Sequence, residues 1–185
     1  KVINEVKQKL VYPIDSIDID SLNAMISSFT PDNNVETNYK EIFELAFKNP
    51  ELINKSVEVF GSSTIIISID VKKNFWGKYE VYINGGQENT HKNPLNWAKE
   101  IEKRGAGEIM VNSINQDGTL LGYDFDLVKE ITSNLHIPVI AAGGASSISD
   151  FVNIFQNAKV AAAAAGSLFV FQGKHRAVLI TYPTQ

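Results

Sequence analysis

The chain of 185 residues has no cysteine. That excludes disulfides and thiolate metal sites, and it is compatible with the cytosol. No apolar run approaches the ~20 residues needed to span a bilayer; the longest small-apolar stretch, Val160 to Ala165, is far too short. The N-terminus lacks the basic, apolar and small-residue zones of a signal peptide. Positive charge is in short supply: 17 Lys and Arg stand against 21 Asp and Glu, a formal net charge of -4. A weakly acidic balance argues against nucleic-acid and anionic-membrane partners. Histidine is scarce too. His91, His136 and His175 lie far apart without metal-ligand spacing, so neither a metal nor a cofactor is expected. What remains is 44% hydrophobic and 21% charged residues, the composition of an ordinary globular domain with a real core. The chain is shorter than a complete (β/α)₈ barrel, which typically needs ~250 residues and at least ~200.

The pattern changes near residue 48. Residues 1–47 are irregular. Lys1 to Leu10 fits a short amphipathic helix, Ile14 to Asp20 alternates apolar and acidic residues like a strand, and Ser27 to Asn38 is polar and loop-like. From 48 to 185 the signals become regular. Asn49-Pro50 is a helix-start device, followed by the stripe Leu52, Ile53, Val57, Phe60 and a stop at Gly61. Thr64 to Ile69 is a continuous apolar run ending at Asp70, the pattern of a strand buried on both faces. Lys78 to Ile83 with Asn84-Gly85-Gly86 predicts a hairpin. Asn93-Pro94 starts the next helix and Gly105 closes it. Strands are predicted at Glu108 to Ser113, Ile137 to Ala142 and Val160 to Ala165. Helices between them carry Phe125, Val128, Ile131, Leu135 and then Phe151, Val152, Ile154, Phe155, the latter capped by Ser147. Strict βα alternation implies a parallel sheet; periodicity alone leaves a barrel and an open doubly wound sheet equally open.

Each predicted strand ends in polar or glycine residues, and parallel α/β proteins bind ligands at the carboxyl ends of their strands. Gly143-Gly144 and Gly166-Ser167 suit a phosphate cradle. Without a Cβ the backbone can approach an anion closely, and amides at a following helix N-terminus can donate to it. Tight turns would account for the same glycines. Asp70 could be a general acid or base if burial raises its pKa, or a loop anchor paired with Lys72 or Lys73. Asp117-Gly118-Thr119, taken alone, reads as a turn. Trp76 and Trp97 read as packing residues, and His136, before a core strand, as structural.

Four segments, "IIISIDVKKN", "KRGAGEIMVNSINQDGTLLGYDFDLVKEI", "IPVIAAGGASSISDF" and "AAAAAGSLFVF", occur in this order. Together they resemble the cyclase (synthase) subunit of imidazole glycerol phosphate synthase, of histidine biosynthesis. The ending "FQGKHRAVLITYP" looks more like paralogues that work with an amidotransferase in making acetamidino sugars for surface polysaccharides. The resemblance covers roughly Phe47 to Pro183 and implies a (β/α)₈ TIM-barrel type fold. Its C-terminal half would be complete and its N-terminal half abridged.

By resemblance, Asp70 matches the catalytic acid at the end of strand five. Asn112 and Ser113 stand where the family binds substrate, and Asp117, with Gly118 and Thr119, matches a substrate-handling loop. Gly143, Gly144, Gly166 and Ser167 match the phosphate site, and Glu108 the charged gate where ammonia enters from a glutaminase subunit. The family's strand-one aspartate, its glycine-rich loop after strand three and its Asn-Thr-Ala-Ala motif are not visible, and its Thr-Gly after strand five reads Thr90-His91.

The expected function is a cytoplasmic lyase. It would be an ammonia-using subunit of a glutamine amidotransferase complex, acting on a phosphorylated or nucleotide-linked small molecule. The alternative is a non-catalytic or truncated half-barrel that binds phosphate and self-assembles. Two open barrel edges, at the Asp70 and Ala165 strands, predict a homodimer or pairing with a further segment.

Overall fold

The computed structural model describes residues 46–172 and 177–178. All belong to one unit, Phe43–Gln185. The helix, strand and loop expected within residues 1–45, and His175, lie outside the described residues.

Local signals set most element boundaries. Helix α1 (Glu51–Phe60) begins after Pro50, whose φ of -59° already fits a helix. Asn49 gives no side-chain cap, contrary to expectation; its carbonyl accepts the Leu52 N–H at 3.0 Å instead. Gly61 ends the helix. Helix α2 (Pro94–Lys103) starts as expected: the Asn93 side chain accepts the Asn96 N–H at 3.0 Å, with proline in the first turn. Helix α3 (Phe125–Thr132) is capped by Asp124 and helix α4 (Ile148–Ala158) by the Ser147–Asp150 pair. A final short helix, α5, spans Ser167–Val170.

Six strands form one sheet: β1 (Ile66–Lys73), β2 (Tyr79–Ile83), β3 (Glu88–Asn89), β4 (Glu108–Ser113), β5 (Val139–Ala142) and β6 (Ala162–Ala163). Their order is β3-β2-β1-β4-β5-β6. The run β1-β4-β5-β6 is parallel and in sequence order, with helices between. Consecutive βα units of a TIM-type barrel pair in this way, whereas a doubly wound sheet reverses direction at a switch point. A separate ribbon pairs β7 (Phe171–Gln172) with β8 (Ala177–Val178).

Side chains alternate across the parallel strands, as period two requires. Ile69 and Val71 of β1, Ile109 and Val111 of β4, and Val139 and Ala141 of β5 are buried. They pack with Ile53, Trp97, Ile101, Leu127 and Ile131 of the helices, or with Val128 and Ile154. The opposite face carries Ile66, Ser68, Asp70 and Lys72 of β1, then Glu108, Met110 and Asn112 of β4, then Ile140 and Ala142 of β5. It is only partly covered among the described residues.

Four expectations are corrected. Strand β1 does not stop at Asp70 but runs to Lys73, because β2 pairs antiparallel with Asp70 through Lys73. That same hairpin covers part of the expected open edge, leaving Ile66–Ile69 without a neighbour on that side among the described residues. The last strand shrinks to Ala162–Ala163, although Ala161 and Ala164 still donate to β5 carbonyls. Trp76 does not pack inward: it and Phe75 stand in the turn between β1 and β2, Trp76 82% exposed, while Trp97 is buried.

Candidate functional site

The strand ends after β4, β5 and β6 meet around a small open cleft. Asp117, Gly118, Gly143, Gly144, Gly166 and Ser167 line it, with Leu120, Ala145 and Ala165. Six of the expected site residues are therefore brought together, although up to 50 positions separate them in sequence. The amides of Gly143, Gly144, Gly166 and Ser167 donate to no acceptor among the described residues.

The two glycine turns are built differently. Gly143 and Gly144 have φ of +87° and +102°, where only glycine is unstrained. A Cβ on Gly144 would lie 2.1 Å from the Gly122 carbonyl oxygen, and the Gly122 N–H donates to the Gly144 carbonyl at 2.8 Å. This glycine locks the loop after β4 against the loop after β5. Gly166 has an ordinary negative φ, and a Cβ there would meet nothing within 4 Å. Its open Cα faces free space, which suits a ligand.

The expected donors at the start of α4 are spent differently. Asp150 Oδ2 accepts from the Ser146 and Ser147 backbone N–H groups at 2.8 and 3.0 Å and from the Ser146 hydroxyl at 2.6 Å. Burial raises the Asp150 pKa, but these hydrogen bonds outweigh it and hold the carboxyl below its ordinary value. Among the described residues, the amides here without an acceptor are those of the glycine turn itself, just before the helix.

Asp70 is half-buried within β1 rather than at its end, directly opposite Asn112 of β4. The Asn112 Nδ2 donates to Asp70 Oδ1 at 2.9 Å. Neither Lys72 nor Lys73 pairs with Asp70: their ammonium groups lie over the Tyr82 and Tyr79 rings, at 5.5 and 4.7 Å from the centroids. The other end of the Asn112 amide reaches the glycine turn, since a Cβ on Gly143 would stand 3.0 Å from Asn112 Oδ1. Asn112 therefore joins Asp70 to the cleft.

Glu108 occupies the same face as Asn112, four residues earlier on β4. At ~3.3 Å per residue that is about 13 Å away, at the opposite end of the sheet.

Two expected site residues are turned elsewhere. Ser113, next after Asn112, faces the helices; buried, it donates from Oγ to Asp124 Oδ2 at 3.1 Å. The Thr119 hydroxyl donates to the Gln116 carbonyl at 2.7 Å and accepts the Leu121 N–H, so it holds the turn. His136 presents an exposed ring; it is its backbone N–H that is anchored, donating to Glu102 Oε1 at 2.6 Å.

The residues that brace the site carry weak sequence signals. Asp124, buried, accepts from Tyr79 Oη at 2.6 Å as well as from Ser113 and the Leu127 N–H. Burial, then the Asp124 carboxylate, drive the Tyr79 hydroxyl far above its ordinary range, so it stays a donor. Tyr123 Oη donates to the Ala164 carbonyl at 3.0 Å, tying the β4 loop to the end of β6; burial, then Asp150, push its pKa to about 12. Asp124 before an apolar run is a readable helix cap. Nothing in the sequence announces its partner 45 residues away.

A parallel sheet of consecutive βα units, paired in sequence order, defines the class of an α/β barrel-type protein. Within that class, residues 34–176 match the family described as histidine biosynthesis protein, and the chain belongs to that family. A Pseudomonas aeruginosa protein named as imidazole glycerol phosphate synthase subunit hisF2 is 49% identical over 138 residues, 75% of this chain and 55% of that protein. A Leptospira borgpetersenii protein named as subunit HisF of the same synthase is 37% identical over 184 residues, 99% of this chain and 70% of that protein. The HisF subunit of Natranaerobius thermophilus is 46% identical over 127 residues, 69% of this chain and 50% of that protein. The chain thus spans 50% to 70% of the length of these relatives.

Proposed function

We propose that the chain is an ammonia-using synthase subunit of the imidazole glycerol phosphate synthase type, a lyase acting on a phosphorylated or nucleotide-linked substrate. The observation that carries this is the continuity of the site. Asp70, Asn112 and Gly143 form one line of contact from a carboxylate to a cleft whose glycine amides donate to no acceptor among the described residues. The cleft would hold a phosphate through the amides of Gly143, Gly144, Gly166 and Ser167, with Asp117 and Gly118 at its wall. Asp70, oriented by the Asn112 amide, would give or take the proton at the reacting atom. Glu108, at the far end of the same face, fits an entrance gate for ammonia released by a glutaminase partner. The paralogous use, amidation of a nucleotide-linked sugar, would employ the same carboxylate and ammonia path.

The test is ammonia-dependent formation of imidazole glycerol phosphate, with a glutaminase subunit or with ammonium salt. Asp70→Asn keeps the size and the hydrogen bond but cannot transfer a proton. Its rate should fall ~10²–10⁴-fold, the usual worth of general acid–base catalysis, with the melting temperature unchanged. Full activity in the variant would remove Asp70 from the mechanism.

A further inference from the structure

Strand pairing carries the Asp70 face beyond β1. Asn112, Asp70, Tyr82 and Asn89 are successive partners across β4, β1, β2 and β3, so they share one side of the sheet. Lys72 and Glu80, the next pair, share it as well. On this side the hairpin holds a cluster of two hydrogen bonds and one longer polar contact. Asn89 Nδ2 donates to Glu80 Oε2 at 2.6 Å, Asn89 Oδ1 accepts the His91 N–H at 2.8 Å, and His91 Nδ1 faces Glu80 Oε1 at 3.7 Å.

His91 reaches that cluster through a bulge. Val81 donates to the Lys92 carbonyl but accepts from the Thr90 N–H, so Thr90, His91 and Lys92 together oppose one residue. The Thr90 hydroxyl fixes the bulge by donating to the Val81 carbonyl and accepting the Lys92 N–H. His91 itself has φ of +56°, a left-handed conformation that is uncommon outside glycine and that histidine takes more readily than most. The bulge and this conformation deliver an imidazole that is 80% exposed, on the side of the sheet that holds Asp70. Bulges re-aim side chains in this way beside functional sites.

We infer that His91 is a substrate-contacting, specificity-determining residue: with Nδ1 turned to Glu80, its Nε2 accepts a hydrogen bond from a sugar or glycerol hydroxyl of the substrate. A carboxylate beside Nδ1 favours the proton there and leaves the Nε2 lone pair outward. Nε2 has no partner among the described residues. The inference rests on the Asp70 face being the substrate side.

The test uses His91→Gly, which suits the left-handed backbone, and His91→Asn, which tolerates it. Three probes are titrated by calorimetry: imidazole glycerol phosphate, a uridine-diphosphate N-acetylhexosamine, and inorganic phosphate. The expected result is that one hydroxyl-bearing probe binds the wild type and binds both variants about tenfold more weakly, the worth of one hydrogen bond. Inorganic phosphate should bind all three proteins alike, and His91→Gly should melt at the same temperature or higher. Unchanged affinity for both hydroxyl-bearing probes, binding of neither by the wild type, or a lower melting temperature for His91→Gly would overturn the inference. Synthase activity is read separately. A wild type that binds a probe through His91 yet turns nothing over with ammonia keeps His91 as a ligand residue and overturns only the activity.

Discussion

Gly144 and Gly166 line the same cleft but answer to different forces, so the same substitution should separate them. Gly144→Ala places a methyl group 2.1 Å from the Gly122 carbonyl in a backbone with φ of +102°. Left-handed strain and overpacking each cost ~1–3 kcal/mol, so denaturant unfolding should show a loss of at least ~2 kcal/mol. Gly166→Ala meets nothing within 4 Å and should leave stability within ~0.5 kcal/mol of wild type while its methyl group obstructs the cleft. Equal losses in the two variants would contradict the distinction. Asp150 allows a second test at this scale. Its carboxyl is held below the ordinary aspartate value, so its contribution to folding is full at neutral pH. That contribution is lost as the pH falls below about 3.9 and through the folded-state value. Asp150→Ala should cost about 0.5–2 kcal/mol at pH 7, as for other helix caps, and the gap in melting temperature should close toward pH 3. A gap independent of pH would mean that the charge is not what caps α4.

The hairpin β2–β3 is the element that makes this sheet more than a run of βα units. It is anchored where β1 turns into β2 by two long-range bonds: the Lys73 N–H donates to Asn115 Oδ1 at 2.7 Å and Tyr79 Oη donates to Asp124 Oδ1 at 2.6 Å. Tyr79→Phe removes the second while preserving the ring. A hydrogen bond to a charged group is worth ~1.5–3 kcal/mol, and the variant should lose about that much in denaturant unfolding. Hydrogen exchange should rise across the hairpin more than in β4 or β5; a uniform rise would sink the anchoring role. The strands β4 and β5, the helix start at Asn93 and the glycine turns were legible in the sequence because each depends on neighbours within a few positions. The extension of β1 to Lys73 was not, since two lysines conceal a strand that exists only because β2 pairs with it. Ser113 misled for a related reason. A residue type suited to a site sits one position off the site face, and period two turns it to the helices. Trp76 was misjudged because aromatic content suggests burial, whereas a two-strand turn has no core beneath its tip.

At the scale of the molecule, the described sheet leaves Ile66–Ile69 unpaired on the outer side of β1, with Ile66 44% exposed. An apolar parallel edge attracts another strand. The 185-residue chain is therefore predicted to sediment as a dimer or larger species at low micromolar concentration, and a monomer of 20.4 kDa would contradict this. The central claim is that strand ends distant in sequence converge on a phosphate-binding cleft joined to Asp70. It is tested most directly by titrating inorganic phosphate into the isotope-labelled protein and following the backbone amides by NMR. The account predicts saturable shifts at Gly143, Gly144, Gly166 and Ser167 together, with one dissociation constant, and little change at Ser146 and Ser147, whose N–H groups Asp150 already holds. Shifts at Ser146 and Ser147 without the four, or no saturable response at the four, would contradict it.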